Sequence, residues 1–154
     1  MITIDLGVGA LPSVLAALSD PAIAQRVANA AAESYNDDIH DWLDMRRGFT
    51  NRTGQLKQAI SWHPNGDGSA TVHANTDYAK FVEEGTRAHK IRPKHGQALR
   101  FPVGGGAGFG FARVINHPGS KPHPYFFADQ AVRSEHMQAR SLSVLAQAMR
   151  SAHG

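Results

Sequence analysis

The chain contains no cysteine. Disulfide frameworks, thiolate metal sites and cysteine nucleophiles are thereby excluded, and the composition suits a cytosolic product. No apolar run approaches the roughly 20 residues that span a bilayer. Met1 to Ala10 lacks the basic start of a secretory signal, and Leu11 to Leu18 is broken by Pro12 and Ser13, so neither a signal peptide nor a membrane span is expected. Acidic residues are missing from one long stretch: no Asp or Glu lies between Gly85 and Ala128. That stretch carries Arg87, Lys90, Arg92, Lys94, Arg100, Arg113 and Lys121, with His89, His95, His117 and His123. The acids cluster earlier, at Asp37, Asp38, Asp41 and Asp44 and at Glu83 and Glu84. The net charge of +3 is modest for a nucleic-acid binder. So polarised a chain can meet phosphate, or the acidic face of a neighbouring copy.

The 154 residues suffice for one domain with its own core, and no interdomain linker or internal repeat is visible. Ile2 to Leu6 alternates and predicts a short strand or arm, and Leu11 to Leu18 a helical turn or two. Asp20-Pro21 is a helix start, a capping side chain followed by proline at the first helical position. Ile23, Val27, Ala31, Tyr35, Ile39 and Trp42 follow at helical spacing up to a stop near Arg46-Arg47-Gly48, for a helix of roughly 39 Å. Its alanine-rich portion, Val27 to Ala32, allows close approach of a partner element.

Leu56 and Ile60 anchor a short segment after Thr53-Gly54. Ala59–His63 and Ala70–Ala74 read as a hairpin around Pro64-Asn65-Gly66-Asp67-Gly68, since Asn-Gly and Asp-Gly tolerate positive φ. Asp77–Glu84 predicts a short helix ended by Gly85 in a left-handed cap, with Thr86 bonding locally. The loop Arg87 to Gln97 is expected to be mobile until a partner orders it. Leu99, Phe101 and Val103 alternate on one strand and Phe111, Arg113 and Ile115 on the next, with Gly104 to Gly110 as a loop between them. Pro118, Pro122 and Pro124 stiffen the approach to a last helix striped by Phe127, Ala131, Met137, Leu145 and Met149. The expected fold is α+β: a small antiparallel sheet packed by a long N-terminal and a C-terminal helix, with long basic and glycine-rich loops.

Catalytic motifs are scarce. The glycine run fits no GxGxxG register, precedes a strand, and has no Lys-Ser or Lys-Thr at phosphate-loop spacing. No HExxH is present, and no Asp or Glu lies near His89, His95, His117 or His123 in sequence to complete a mixed metal site. No serine sits in a GxSxG elbow. Glu83 and Glu84 are adjacent and point apart on a helix, so they form no carboxylate pair; one of them is expected to cap or pair while the other is solvated. Phe101, Phe109, Phe111, Tyr125 and Phe126 interleave with basic residues as on a nucleic-acid surface. The alternation of Leu99, Phe101, Phe111 and Ile115 argues instead for strands that pack a core.

Several of these fragments, in this order, resemble a family. Thr53-Gly54-x-Leu56, the hairpin, and Tyr78-Ala79-x-x-Val82-Glu83-x-Gly85-Thr86 are similar to the tail-completion or head–tail joining (neck) proteins of long-tailed bacteriophages, of the lambda minor tail protein Z type. His117-Pro118-Gly119-x-Lys121-Pro122-x-Pro124-Tyr125-Phe126 resembles that family's HPG turn and its proline–aromatic entry into the last helix. The resemblance runs from Thr53 to Ala131. Glu84 departs from it, standing where the family more often has an apolar residue, and Ala128-Asp129-Gln130 lacks the family's frequent proline.

The resemblance implies a structural virion protein of the neck or tail end, without catalysis, cofactor or metal, assembled in the host bacterial cytoplasm. It implies a ring, commonly of six copies. The implied partners are the chain itself, the head-closure or connector protein, and the tail-tube or tail-terminator protein. Genomic DNA would pass through without sequence-specific binding. Members can be monomeric before assembly, with loops that order on docking. Arg87, Lys90, Arg92, Lys94 and Arg100, facing Asp37, Asp38, Asp41, Asp44, Glu83 and Glu84, are the interface candidates. Tyr78, Gly85, Thr86, His117, Pro118, Gly119 and Pro124 are the structural motif. Tail termination, a small basic nucleic-acid-binding protein and a histidine-metal hydrolase stand as alternatives.

Overall fold

Asp20 caps the long helix as its sequence dictates: its Oδ1 accepts the Ala22 N–H at 2.8 Å, and Pro21 occupies the first helical position. In this computed structural model, residues 1–7, 20–45, 53–103 and 108–152 are described. The elements are β1 (Ile2–Gly7), α1 (Pro21–Asp44), α2 (Gln55–Gln58), β2 (Ile60–Pro64), β3 (Ser69–Ala74) and α3 (Ala79–Glu84). They are followed by β4 (His89–Ile91), β5 (Leu99–Val103), β6 (Gly108–Ala112), β7 (Ile115–His117) and α4 (Gln130–Ala152). The 24 residues of α1 span about 36 Å and end at a Met45 cap. The expected turns at Leu11–Leu18, the Arg46-Arg47-Gly48 stop and most of the glycine run lie outside the described residues.

β1, β3 and β2 form an antiparallel sheet in that order, with Ala74 opposite both Ile2 and Ile60. Alternation sends Ala70, Val72 and Ala74 to one face, where they pack on Ala28, Ala31, Ala32, Tyr35 and Ile39 of α1. Small residues on both surfaces let the helix axis approach the sheet closely. α1 also carries α4, through Val27 against Leu145. The β2–β3 turn is tied to the same helix: Gln25 accepts the Gly68 N–H at 3.1 Å and donates to the Ser69 carbonyl at 2.8 Å.

The architecture is α+β with small antiparallel sheets, and several details depart from expectation. The strand expected over Phe111, Arg113 and Ile115 is broken after Ala112, so β6 pairs with β5 while β7 pairs with β4. Gly108 to Gly110 belong to β6 rather than to a loop. The basic segment Arg87–Gln97 includes β4, held by β7, and is not one uninterrupted loop. The buried stripe of α4 is Arg133, Ser141, Leu145 and Ala148 with half-buried Met137, whereas Phe127 and Ala131 are exposed.

Candidate functional site

The two halves of the sequence motif meet in one clasp. Where α3 ends, Gly85 has φ 73° and ψ −175°. The positive φ was expected, but the ψ is extended rather than that of a left-handed cap, in a region open essentially to glycine alone. The reason is a close approach: a Cβ on Gly85 would stand 2.5 Å from the Ser120 carbonyl oxygen and 2.8 Å from the Pro122 nitrogen. Thr86 does not bond locally. It bridges to Ser120 across 34 residues, with backbone N–H···O bonds of 3.0 and 3.1 Å and hydroxyls 3.0 Å apart. Gly119, at φ 90°, faces the Thr86 carbonyl so closely that any Cβ there would collide with it. The His117 Nδ1 accepts the Gly119 N–H at 3.0 Å and holds that turn, while Pro118 is exposed beside it. Tyr78 precedes α3 without a side-chain cap bond.

Glu83 is the centre of the clasp. It is 8 % exposed, and its carboxylate accepts the backbone N–H groups of Tyr125 (2.8 Å), Phe126 (2.9 Å) and Phe127 (3.1 Å). Pro124, which has no N–H, directly precedes them. On the carbonyl side of the same segment, Arg133 donates to Phe126 O (2.6 Å) and Tyr125 O (2.9 Å), and the Tyr35 hydroxyl donates to Phe126 O (2.7 Å). A buried anion and a buried cation thus bracket one stretch of backbone, which seats the Tyr125 and Phe126 rings in the core. Burial raises the pKa of the Tyr35 phenol against the opposing effect of Arg133, and raises that of Tyr125 strongly, with a smaller contribution from Glu83. Glu83 is therefore a structural residue and not an interface candidate; Glu84, exposed and 3.8 Å from Lys80, keeps to the surface. Arg133 belongs to no motif. The signal that finds it is spacing, since 133, 137, 141 and 145 share one helical face.

The acids of α1 are divided. Asp44 is bound to Lys57 at 2.6 Å, and Asp38 Oδ1 to His136 Nδ1 of α4 at 2.9 Å, while Asp37 and Asp41 are exposed. Asp38 and Asp41 line a cleft of about 180 Å³ between α1 and the start of α4, with Trp42, Met45, Val132 and Arg133. Asp38 Oδ2 is buried there without a hydrogen-bond partner.

The basic candidates Arg87, Lys90, Arg92, Lys94 and Arg100 are all exposed. Arg100 lies over the Phe109 ring at 3.6 Å and is the cross-strand partner of Phe111. Register puts Arg100, Pro102, Phe109 and Phe111 on one face of the β5–β6 ribbon. Phe109 is 57 % and Phe111 70 % exposed; of the four residues expected to pack a core, Leu99, Phe101 and Ile115 are half-buried and Phe111 is not. Apart from each other, β5 and β6 make few contacts with the rest of the fold, and the Phe109 and Phe111 rings stay in solvent. The His89 and His117 rings stack 5.0 Å apart across β4–β7. Among the described residues, no three His, Cys, Asp or Glu converge in a way that could hold a metal ion. No helix among them is long and apolar enough to cross a membrane.

Residues 13–85 are similar to a family of bacteriophage tail components. The matching model is the HK97-gp10-like family, described as "Bacteriophage HK97-gp10, putative tail-component". The match covers a little under half the chain, from before α1 through the hairpin and α3 to Gly85, and supports a structural protein of the phage tail region and hence of the virion. It includes the long helix, which carries no motif of its own, and stops short of the HPG turn. No curated protein and no solved structure matches the chain.

Proposed function

We propose that the chain is a non-enzymatic completion protein of the phage neck or tail end, of the lambda Z type. Copies of it form a ring, six in the simplest case, that joins the finished tail to the head connector. The observation that carries this reading is the tail-component match ending at Gly85, the residue at which the clasp to the HPG turn begins. The continuity of that clasp supports extending the likeness to the C-terminal half. The exposed basic segment from Arg87 to Arg100 and the acidic α1–α4 edge are two different patches, as a cyclic assembly requires. Head connector and tail-tube or terminator proteins would then bind the two rims, and DNA would pass through the ring. A deletion mutant of the phage should yield filled heads and separate tails. Normal infectious particles from that mutant would reject the proposal. Tails of uncontrolled length would instead place the chain as a tail terminator.

A second reading, nucleic-acid binding, gains from the exposure of Phe109 and Phe111 beside Arg100. It requires binding to random duplex that falls steeply with salt.

A further inference from the structure

We infer that the β5–β6 ribbon docks on a second copy of this chain by seating the Phe111 ring in that copy's α1–α4 cleft, with Arg100 delivered to Asp38 and Asp41. This deepens the ring reading and rests on it. Phe111 is the most exposed aromatic of the ribbon, and its register partner is Arg100, so a ring and a cation arrive side by side. The cleft offers the complement of both. Trp42, Met45 and the half-exposed Val132 are its apolar lining, Asp38 and Asp41 stand at its rim, and Arg133 and His136 complete it on the α4 side. At about 180 Å³ it has room for one phenyl ring, since an apolar cavity of roughly 150 Å³ takes up benzene. Asp41, exposed at the rim, is the acceptor a guanidinium reaches, and Asp38, with Oδ1 held by His136 and Oδ2 buried without a partner, adds its charge behind it. Phosphate would use the charge of the ribbon but neither the rings nor the cleft. Ribbon and cleft are different patches, so the contact is heterologous and propagates from copy to copy until it closes.

The absence of cysteine makes the contact testable by disulfide trapping in the full chain. Pro102→Cys with Met45→Cys leaves Phe111 in place and puts one thiol on the ribbon and one at the cleft. Pro102→Cys with Ser61→Cys, on the outer face of the sheet, is the control. Both pairs are oxidised in the concentrated chain and in purified particles, and the mass of the unmodified chain is measured by light scattering. A ladder of covalent oligomers from the first pair alone is expected. Arg100→Glu and Phe111→Ser should each weaken association by about tenfold or more, and Asp41→Arg should restore it to Arg100→Glu. Circular dichroism should show each variant folded, since every substituted side chain is exposed. Association without a selective ladder or rescue overturns the docking and leaves the ring reading standing. A chain that is monomeric alone and present singly in particles overturns the ring reading, and the docking with it. Unchanged association of Arg100→Glu, with lost retention on duplex DNA, assigns the ribbon to nucleic acid instead.

Discussion

Glu83 offers the sharpest test of how the C-terminal half is attached. Replacing it by alanine removes the acceptor of three backbone N–H groups at 2.8, 2.9 and 3.1 Å. Two of these, on Tyr125 and Phe126, belong to fully buried residues; that of Phe127 is closer to solvent. A buried donor left without a partner costs about 1–3 kcal/mol, so the two buried groups together cost about 2–6 kcal/mol. Arg133 also loses the opposite charge across the segment it grips, which pushes the value toward the upper half of that range. Against a total stability of about 5–15 kcal/mol this is a large fraction. At about 2–4 °C per kcal/mol for a domain of this size, a loss of about 4 kcal/mol lowers Tm by about 8–16 °C. Glu83→Gln keeps an oxygen for the two buried donors and turns its amide toward the most exposed one, so a loss of about 1–2 kcal/mol is expected. Glu84→Ala, on an exposed side chain, should stay within about 0.5 kcal/mol. Urea unfolding with a constant m-value measures all three. A Glu83→Ala variant as stable as Glu84→Ala, or less destabilised than Glu83→Gln, would refute the clasp. If the alanine variant does not fold, the glutamine variant still decides.

Gly85→Ala should cost more than the roughly 1–2 kcal/mol of a simple positive-φ penalty, because its Cβ meets backbone atoms of Ser120 and Pro122 that no rotamer change can move; thermal unfolding within about 2 °C of the parent would show that the turn yields. Burial, then the nearby His63, lowers the pKa of His73. The unfolded chain therefore takes up the proton first as pH falls, and stability contributed at neutral pH is lost on acidification through the ordinary histidine range. Melting curves from about pH 7.5 to about pH 5, across the ordinary histidine range, should fall less steeply for His73→Gln than for the parent; parallel curves would contradict this.

The elements that local chemistry specifies were legible before the fold. Asp20-Pro21 starts α1, the Asn-Gly and Asp-Gly pairs turn β2 into β3, and helical spacing places Val27, Tyr35 and Ile39 in the core. Each depends on a few consecutive residues whose backbone preferences agree. The motif residues from Tyr78 to Gly85 and from His117 to Phe126 were legible as fragments, but not as one object. Only the tertiary structure brings Thr86 onto Ser120 and closes Glu83 over the N–H groups of residues 125–127. It thereby moves a carboxylate from the list of interface candidates into the framework. It also decided the fate of the aromatics. Alternation in β5 and β6 is the same whether a ribbon lies on a core or stands away from it. Burial is set by what packs against a strand, which its own residues do not encode, and here Phe109 and Phe111 are left facing solvent.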